Sequence, residues 1–319
     1  MNSSNKKRNI ILVVILLVAA VVLALGIWWI LQANSATGKR GDGENGLLVE
    51  ENAFTPEALD ETPSAEEIAN EEAAAIMQAQ ALASESFSAA VSDVGLGSCA
   101  GSYSAGVYYF DSGISATAAD SGRMVSASVV KVFIMEYVFV KANAGELSLN
   151  DSASGTKISS HVEAMIKWSD NGSTNALIDY FGMEALNAFF RDQGYGDTKI
   201  ERRMLDNDAR SRGLDNYTSL NDCMAFLKKV YGNQSSAPYS DMLNIMKGQT
   251  VKTKIPSKLP SSVVVANKTG ELGDVENDIG IVFGDHPFAL VVLANQVQSS
   301  GGAQRAIGDL ALYCLNNPT

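Results

Sequence analysis

The sequence predicts an α/β protein of the α+β kind. Its antiparallel sheet is built from both ends of the domain, an all-helical lobe is inserted between them, and one transmembrane helix precedes the whole. Three observations carry this expectation. Runs of β-formers stand at residues 106–110 and between 262 and 294, helical patterns fill the span between 127 and 254, and an uncharged apolar run covers residues 10–31. At 319 residues and 46% hydrophobic content, the chain can bury one sizeable domain or two small ones.

Ile10 to Leu31 are 22 uncharged, mostly aliphatic positions. At about 1.5 Å per residue they reach roughly 33 Å, enough to cross a bilayer. Lys6, Lys7 and Arg8 stand just before them. The positive-inside rule therefore keeps residues 1–9 in the cytosol and exports the rest, as a single-pass protein of the cell membrane. A cleaved signal peptide is the alternative, with Ala33-Asn34-Ser35-Ala36 as the cleavable stretch. The apolar run is longer than a signal-peptide core, which favours an uncleaved signal-anchor. The net charge of −12 divides into +3 over residues 1–32, −9 over 33–75 and −6 over 76–319. Residues 32–83 thus read as an acidic stalk, partly helical from Ser64 onward. No basic footprint exists, which excludes nucleic acid as a partner.

Residues 84–319 read as the folded domain, with its helical lobe at about 127–254. Gly106 to Phe110 form a strand, and Asp111-Ser112-Gly113 turn it into a hairpin. Residues 127–143 are rich in valine, but their length and the stop at Gly145 favour a buried helix. Ser160 with Glu163 predicts a capping box opening the next helix. Helical patterns at 174–181 and 183–192 follow, broken by Gly182, and another spans 218–231, capped by Thr218 or Ser219. Strands at 262–267, 279–283 and 288–294 and a helix from about 303 to 315 close the chain. Cys99, Cys223 and Cys314 show no metal-ligand spacing, so neither metal nor cofactor is expected. A Cys99–Cys314 disulfide and three buried thiols both remain open. His161 reads as a first-turn helix residue and His286 as a turn residue.

Three short motifs carry the chemistry. Ser-x-x-Lys occurs four times, but only Ser128 and Lys131 open a buried helix. A serine in a first helical turn lies near unpaired N–H groups, and a lysine three residues on shares its face and can reach its hydroxyl. Burial disfavours the ammonium, so a neutral Lys131 can accept the serine proton. Ser169-Asp170-Asn171 supplies a second hydroxyl and an amide that could hold a substrate amide. Lys268-Thr269-Gly270 supplies a cation and a hydroxyl for a substrate carboxylate, with a glycine that lets a substrate backbone approach.

In this order the three motifs resemble the class A β-lactamases and penicillin-binding proteins, from about Ser84 to the C-terminus. "MIKWSDNGSTNALI" is similar to the family's helix–turn–helix, and "LDNYTS" to the exit of its Ω-loop. The resemblance implies the β-lactamase/transpeptidase-like fold and acyl-serine chemistry. Ser128 would be the acylated nucleophile, Lys131 its base and Ser169 the proton shuttle. Asn171 would bind a substrate amide, and Lys268, Thr269 and Gly270 the carboxylate end. The N–H groups of Ser128 and Glu271 would form the oxyanion hole.

Three departures from that family bear on turnover. Its deacylating Glu-x-x-Leu-Asn is replaced by "ERRMLDND" at 201–208. If Leu205 is the family leucine, Arg202 stands at the glutamate position and Asp206 at the asparagine. Arginine is no general base near neutral pH, which leaves Glu201 and Asp206 as substitutes. The span from Ser128 to Ser169 is shorter than in the hydrolases, which removes a cleft wall. The arginine that often supports the substrate carboxylate has only Arg305 to represent it. Three readings follow: a membrane-anchored β-lactamase-type serine hydrolase, a penicillin-binding acyl-transferase or peptidase acting on peptidoglycan-type peptides, and a non-catalytic sensor or scaffold. A monomer is expected.

Overall fold

The structure, a computed structural model, describes residues 64–319. The expected membrane segment at 10–31 and most of the expected stalk lie outside these residues. Among the described residues, no helix is long and apolar enough to cross a membrane.

Helix α1 (Ala65–Asp93) is rich in Ala and Glu, both strong helix formers, and runs unbroken through the expected domain boundary at 84. Its last three turns bury Ala83, Phe87, Ala90 and Val91, an i, i+4, i+7, i+8 stripe, while Ile68, Ile76 and Met77 are exposed. The short α2 (Leu96–Cys99) leads into β1 (Ala100–Tyr109), β2 (Ser115–Ala119) and β3 (Met124–Val125). A 3₁₀ turn (Ala127–Val130) enters α3 (Lys131–Asn143). The helical lobe continues through the small hairpin β4 (Ser152–Ala153) and β5 (Thr156–Lys157), then α4 (Ile158–Lys167), α5 (Asn171–Phe181) and α6 (Met183–Asp192). It ends with α7 (Asn207–Ser211), β6 (Tyr217–Thr218), α8 (Leu220–Gly232) and α9 (Tyr239–Lys247). The chain closes with β7 (Val264–Leu272), β8 (Val275–Phe283), β9 (Phe288–Val297) and α10 (Ser300–Asn316).

The main sheet has the order β2-β1-β9-β8-β7 and is antiparallel throughout, so strands from both ends of the domain meet at β1–β9 as expected. Both of its faces are covered. On β9, Ala289, Val291 and Leu293 enter the core of the helical lobe, and Leu290, Val292 and Ala294 pack toward α1 and α10. This two-sided burial explains why the strand reads as a continuous apolar run rather than an alternating one. Helix α3 is the axis of the lobe and its first turns, Lys131 to Glu136, are buried on all sides, with Phe133 packed against Phe190, Tyr195 and Phe226. This burial also accounts for a helix built from valines that prefer strands.

Several expectations need correction. Helix α4 begins at Ile158 after Lys157, and neither residue of the expected capping box caps it. Glu163 pairs with Lys167 instead. Of the two residues expected as cap of α8, Ser219 takes the role, accepting from Asp222 N at 3.2 Å. Lys268-Thr269-Gly270 lies inside β7 rather than at its end, because the ladder with β8 continues to Leu272↔Val275. All three cysteines are free thiols, with Cys223 and Cys314 buried and Cys99 partly exposed. His161 is buried in α4 with Nε2 2.9 Å from Ala153 O, and the exposed His286 pairs with Asp111 at 3.3 Å.

Candidate active site

Ser128 sits at the end of a tightly held turn. Ala127, just before it, adopts φ 45°, a region that non-glycine residues enter only when their surroundings force it. The forcing contacts are specific. Ser126 N donates to Asn216 O at 2.8 Å, and Asn277 Nδ2 donates to Val125 O and Ser126 O at 3.0 and 3.1 Å. Strand β7 passes close on the other side. A Cβ added to Gly270 would lie 2.6 Å from Ser126 O and 3.1 Å from Ser128 N, so only glycine lets the strand approach this near. Ser128 and Glu271 consequently line one small cavity of about 40 Å³.

Lys131 is fully buried. Its Nζ donates to Ser169 O at 2.8 Å, Asn171 Oδ1 at 2.8 Å and Ser169 Oγ at 3.3 Å. Burial lowers its pKa to about 7, opposed by the nearby Asp170 carboxylate. From the other side Lys268 Nζ donates to Ser169 Oγ at 3.0 Å and to Thr269 O at 2.7 Å. Lys268 is buried too, and burial together with the Lys131 charge pushes its pKa well below the usual lysine range. The Ser169 hydroxyl is thus suspended between two amines whose pKa values burial lowers. Asp170 fixes this turn by capping α5, accepting from Ser173 N at 2.6 Å, and Ser169 itself is held at φ 57°. One expected link is missing. Among the described residues Ser128 Oγ has no hydrogen bond, because the Lys131 amine is taken up by the acceptors of the 169–171 turn.

The 201–216 loop departs most from expectation. Arg202 is buried, its Nη2 and Nε lie 2.7 and 2.8 Å from Asp215 Oδ1, and Nη1 donates to Arg203 O at 3.1 Å. Its guanidinium clamps the two ends of the loop together, so it is a structural cation as well as a lining residue. Glu201 is drawn to Lys199 at 2.7 Å and Arg123 at 3.4 Å, and these partners hold its carboxyl below the usual range. Asp206 caps α7, accepting from Ala209 N at 2.9 Å. Neither candidate for the substitute base lines the Ser128 cavity. From this loop the cavity is lined by Arg202, Met204 and Leu205. Asn175 pins Met204 there, donating to Met204 O at 3.1 Å and accepting from Met204 N at 2.7 Å.

Arg305 lies on the exposed side of α10, and among the described residues no hydrogen bond or ion pair joins it to Ser128, Ser169 or Lys268. The buried cation beside the Lys268 strand is Lys254, which meets the Glu271 carboxylate and lies 2.9 Å from Glu276 Oε2. Sequence reasoning missed Lys254 because it stands in an irregular segment with no motif around it. Its one signal is that five lysines and no acid occur between Lys247 and Lys268.

Comparison with known proteins bears on the family and the fold. The sequence model of the beta-lactamase enzyme family matches residues 86–317. The chain belongs to the beta-lactamase enzyme family. Its relatives place it among the class A-like serine hydrolases. Beta-lactamase SME-1 of Serratia marcescens is 28% identical over 147 residues, covering 44% of this chain and 50% of the relative. An imipenem-hydrolyzing beta-lactamase of Enterobacter cloacae is 28% identical over 146 residues, covering 43% and 50%. The chain thus spans about half the length of the curated relatives it matches. A beta-lactamase from Sphaerobacter thermophilus shares the fold, with a TM-score of 0.63 at 22% identity over 72% of this chain and 95% of that one.

Proposed function

We propose that Ser128 forms an acyl-enzyme with β-lactams or related acyl amides, including peptidoglycan-type peptides, and releases the acyl group slowly. The observation that carries this reading is the chain Lys131 Nζ–Ser169 Oγ–Lys268 Nζ, at 3.3 and 3.0 Å. Lys131, near half-neutral at pH 7, takes the Ser128 proton as Oγ attacks the acyl carbon. The ester forms, the carbon–nitrogen bond breaks, and the proton passes through Ser169 to the leaving nitrogen.

Slow release is favoured by the commitments of Glu201 and Asp206, which leave no loop carboxylate at the cavity to activate water. That favours the penicillin-binding reading over rapid β-lactam turnover. The anchor expected at residues 10–31 would hold this chemistry on the outer face of the cell membrane. Replacing Ser128 by Ala tests the nucleophile: every covalent adduct should disappear, and an adduct that survives on another residue sinks the proposal.

A further inference from the structure

Leu205 is a large apolar side chain left in water, 68% exposed, at the lip of the Ser128 cavity. A scattered exposed leucine needs no explanation. This one does, because its backbone is held at φ 63°, a region that leucine enters only at a cost. The loop fixes it there from both sides. Asn175 Oδ1 accepts from Met204 N at 2.7 Å, Asn175 Nδ2 donates to Met204 O at 3.1 Å, and Arg203 pairs with Asp179 at 2.8 Å. Beyond Leu205, Asp206 N donates to Arg203 O at 3.3 Å, Asn207 N donates to Leu205 O at 3.0 Å, and Asp206 caps α7. All of these contacts are made by its neighbours or its backbone, and its side chain is left over.

The surface around it is apolar. Ala127, Met204 and Leu272 line the cavity with it. Both charged lining residues are engaged, Arg202 with Asp215 and Arg203 O, and Glu271 with Lys254. The cavity measures about 40 Å³, whereas pockets that enclose a whole small molecule run to about 300 Å³ or more. It takes the reacting acyl carbon and its near neighbours, and the rest of the acyl half must lie across the rim. There Leu205 gains by being covered with another apolar group and loses by being covered with a charged one.

We infer that Leu205 is a specificity-determining residue that receives an apolar group on the acyl half of the substrate. The acyl donor class is an amide or lactam whose acyl half carries an aryl or branched alkyl group, rather than a charged one. This rests on the acyl-enzyme reading above, and no bond changes beyond that acylation are involved.

The test compares the rates at which benzylpenicillin and 6-acetamidopenicillanic acid acylate the full-length protein, read by intact mass. Both compounds keep the lactam, the carboxylate and the side-chain amide, and only the first carries a phenyl ring. In the unmodified protein benzylpenicillin should react at least about tenfold faster, the scale on which a fitted apolar site discriminates. Leu205→Gly removes the side chain and suits the positive φ, and should cut this ratio at least about threefold. Leu205→Met restores an apolar side chain and should keep the ratio within about twofold of the original. A ratio below about tenfold in the unmodified protein overturns the inference and leaves the acylation reading standing. A Gly variant that slows both compounds equally marks a merely structural residue and overturns it as well. No adduct from either compound overturns both the inference and the acylation reading. If the Gly variant fails to fold, Leu205→Ser supplies the same comparison, and the ratio in the unmodified protein still decides.

Discussion

Lys131 shows how one residue acquires a chemical role from its surroundings. A lysine in water is charged, but here complete burial brings its pKa to about 7, and three acceptors orient the amine. The lowered value sets the sign of a pH dependence. Acylation needs the neutral amine, so its rate should rise with pH through about 7 and level off above it. A rate that is flat between pH 6 and 8.5 would contradict this role. Lys131→Ala should slow acylation by about 100-fold or more, the usual scale of a lost general base, while thermal melting still shows a folded protein. At this scale the sequence was informative where a motif carried the meaning. Ser128, Lys131, Ser169, Asn171 and Lys268 surround one turn, as their order implied. Lys254 and Met204 were illegible because their importance comes from tertiary neighbours.

The 201–216 loop is the element on which the proposed slow release rests. Its strength lies in the Arg202–Asp215 pair, whose side chains are 3% and 7% exposed. Removing one partner of such a pair strands the other charge. Arg202→Ala should therefore cost about 3 kcal/mol, the lower end of the range for buried pairs, because Arg210 still reaches Asp215. Chemical denaturation measures this, and a change below about 0.5 kcal/mol, the scale of an ordinary surface substitution, would show that the loop is held by other contacts. The same geometry says where a deacylating carboxylate belongs. Arg202→Glu would oppose Asp215, whereas Met204 lines the cavity without a charged partner. Met204→Glu should speed acyl release at least about tenfold by adding a general base, read as the decay rate of the adduct. An unchanged rate would mean that water, not the base, is excluded from the cavity. Most elements were readable from period and punctuation, as with Gly182 between α5 and α6 at φ 82°. Helix α9 was missed although Tyr239, Met242, Leu243 and Met246 stand at i, i+3, i+4 and i+7, because its nine residues are shorter than the window over which a helical period is read. The strands were drawn short because polar residues such as Asn277 and Asp278 interrupt the apolar run yet are buried in β8.

For the whole molecule, the sheet joins the face of the candidate site to one covered by α1 and α10. The three motifs gather on the helical-lobe side, and α1 and α10 cover the other, where Phe87 and Val91 are nearly inaccessible. The two ends of the domain meet as the sequence implied, because β1 pairs with β9. Helix α1 runs without a break from the expected stalk into the residues that bury, from Ala83 onward. The expected anchor at 10–31 makes its own prediction. Deleting residues 1–31 should move the protein from the membrane fraction to the soluble fraction, and a protein that stays membrane-bound would require another attachment.

The measurement that tests the central claim most directly is intact-mass spectrometry of the full-length protein mixed with benzylpenicillin and followed over hours. The account predicts a single adduct of the penicillin's mass, mapped to Ser128, that persists after free penicillin is removed. A protein that never gains mass, gains it on another residue, or hydrolyses penicillin rapidly without accumulating an adduct would contradict it.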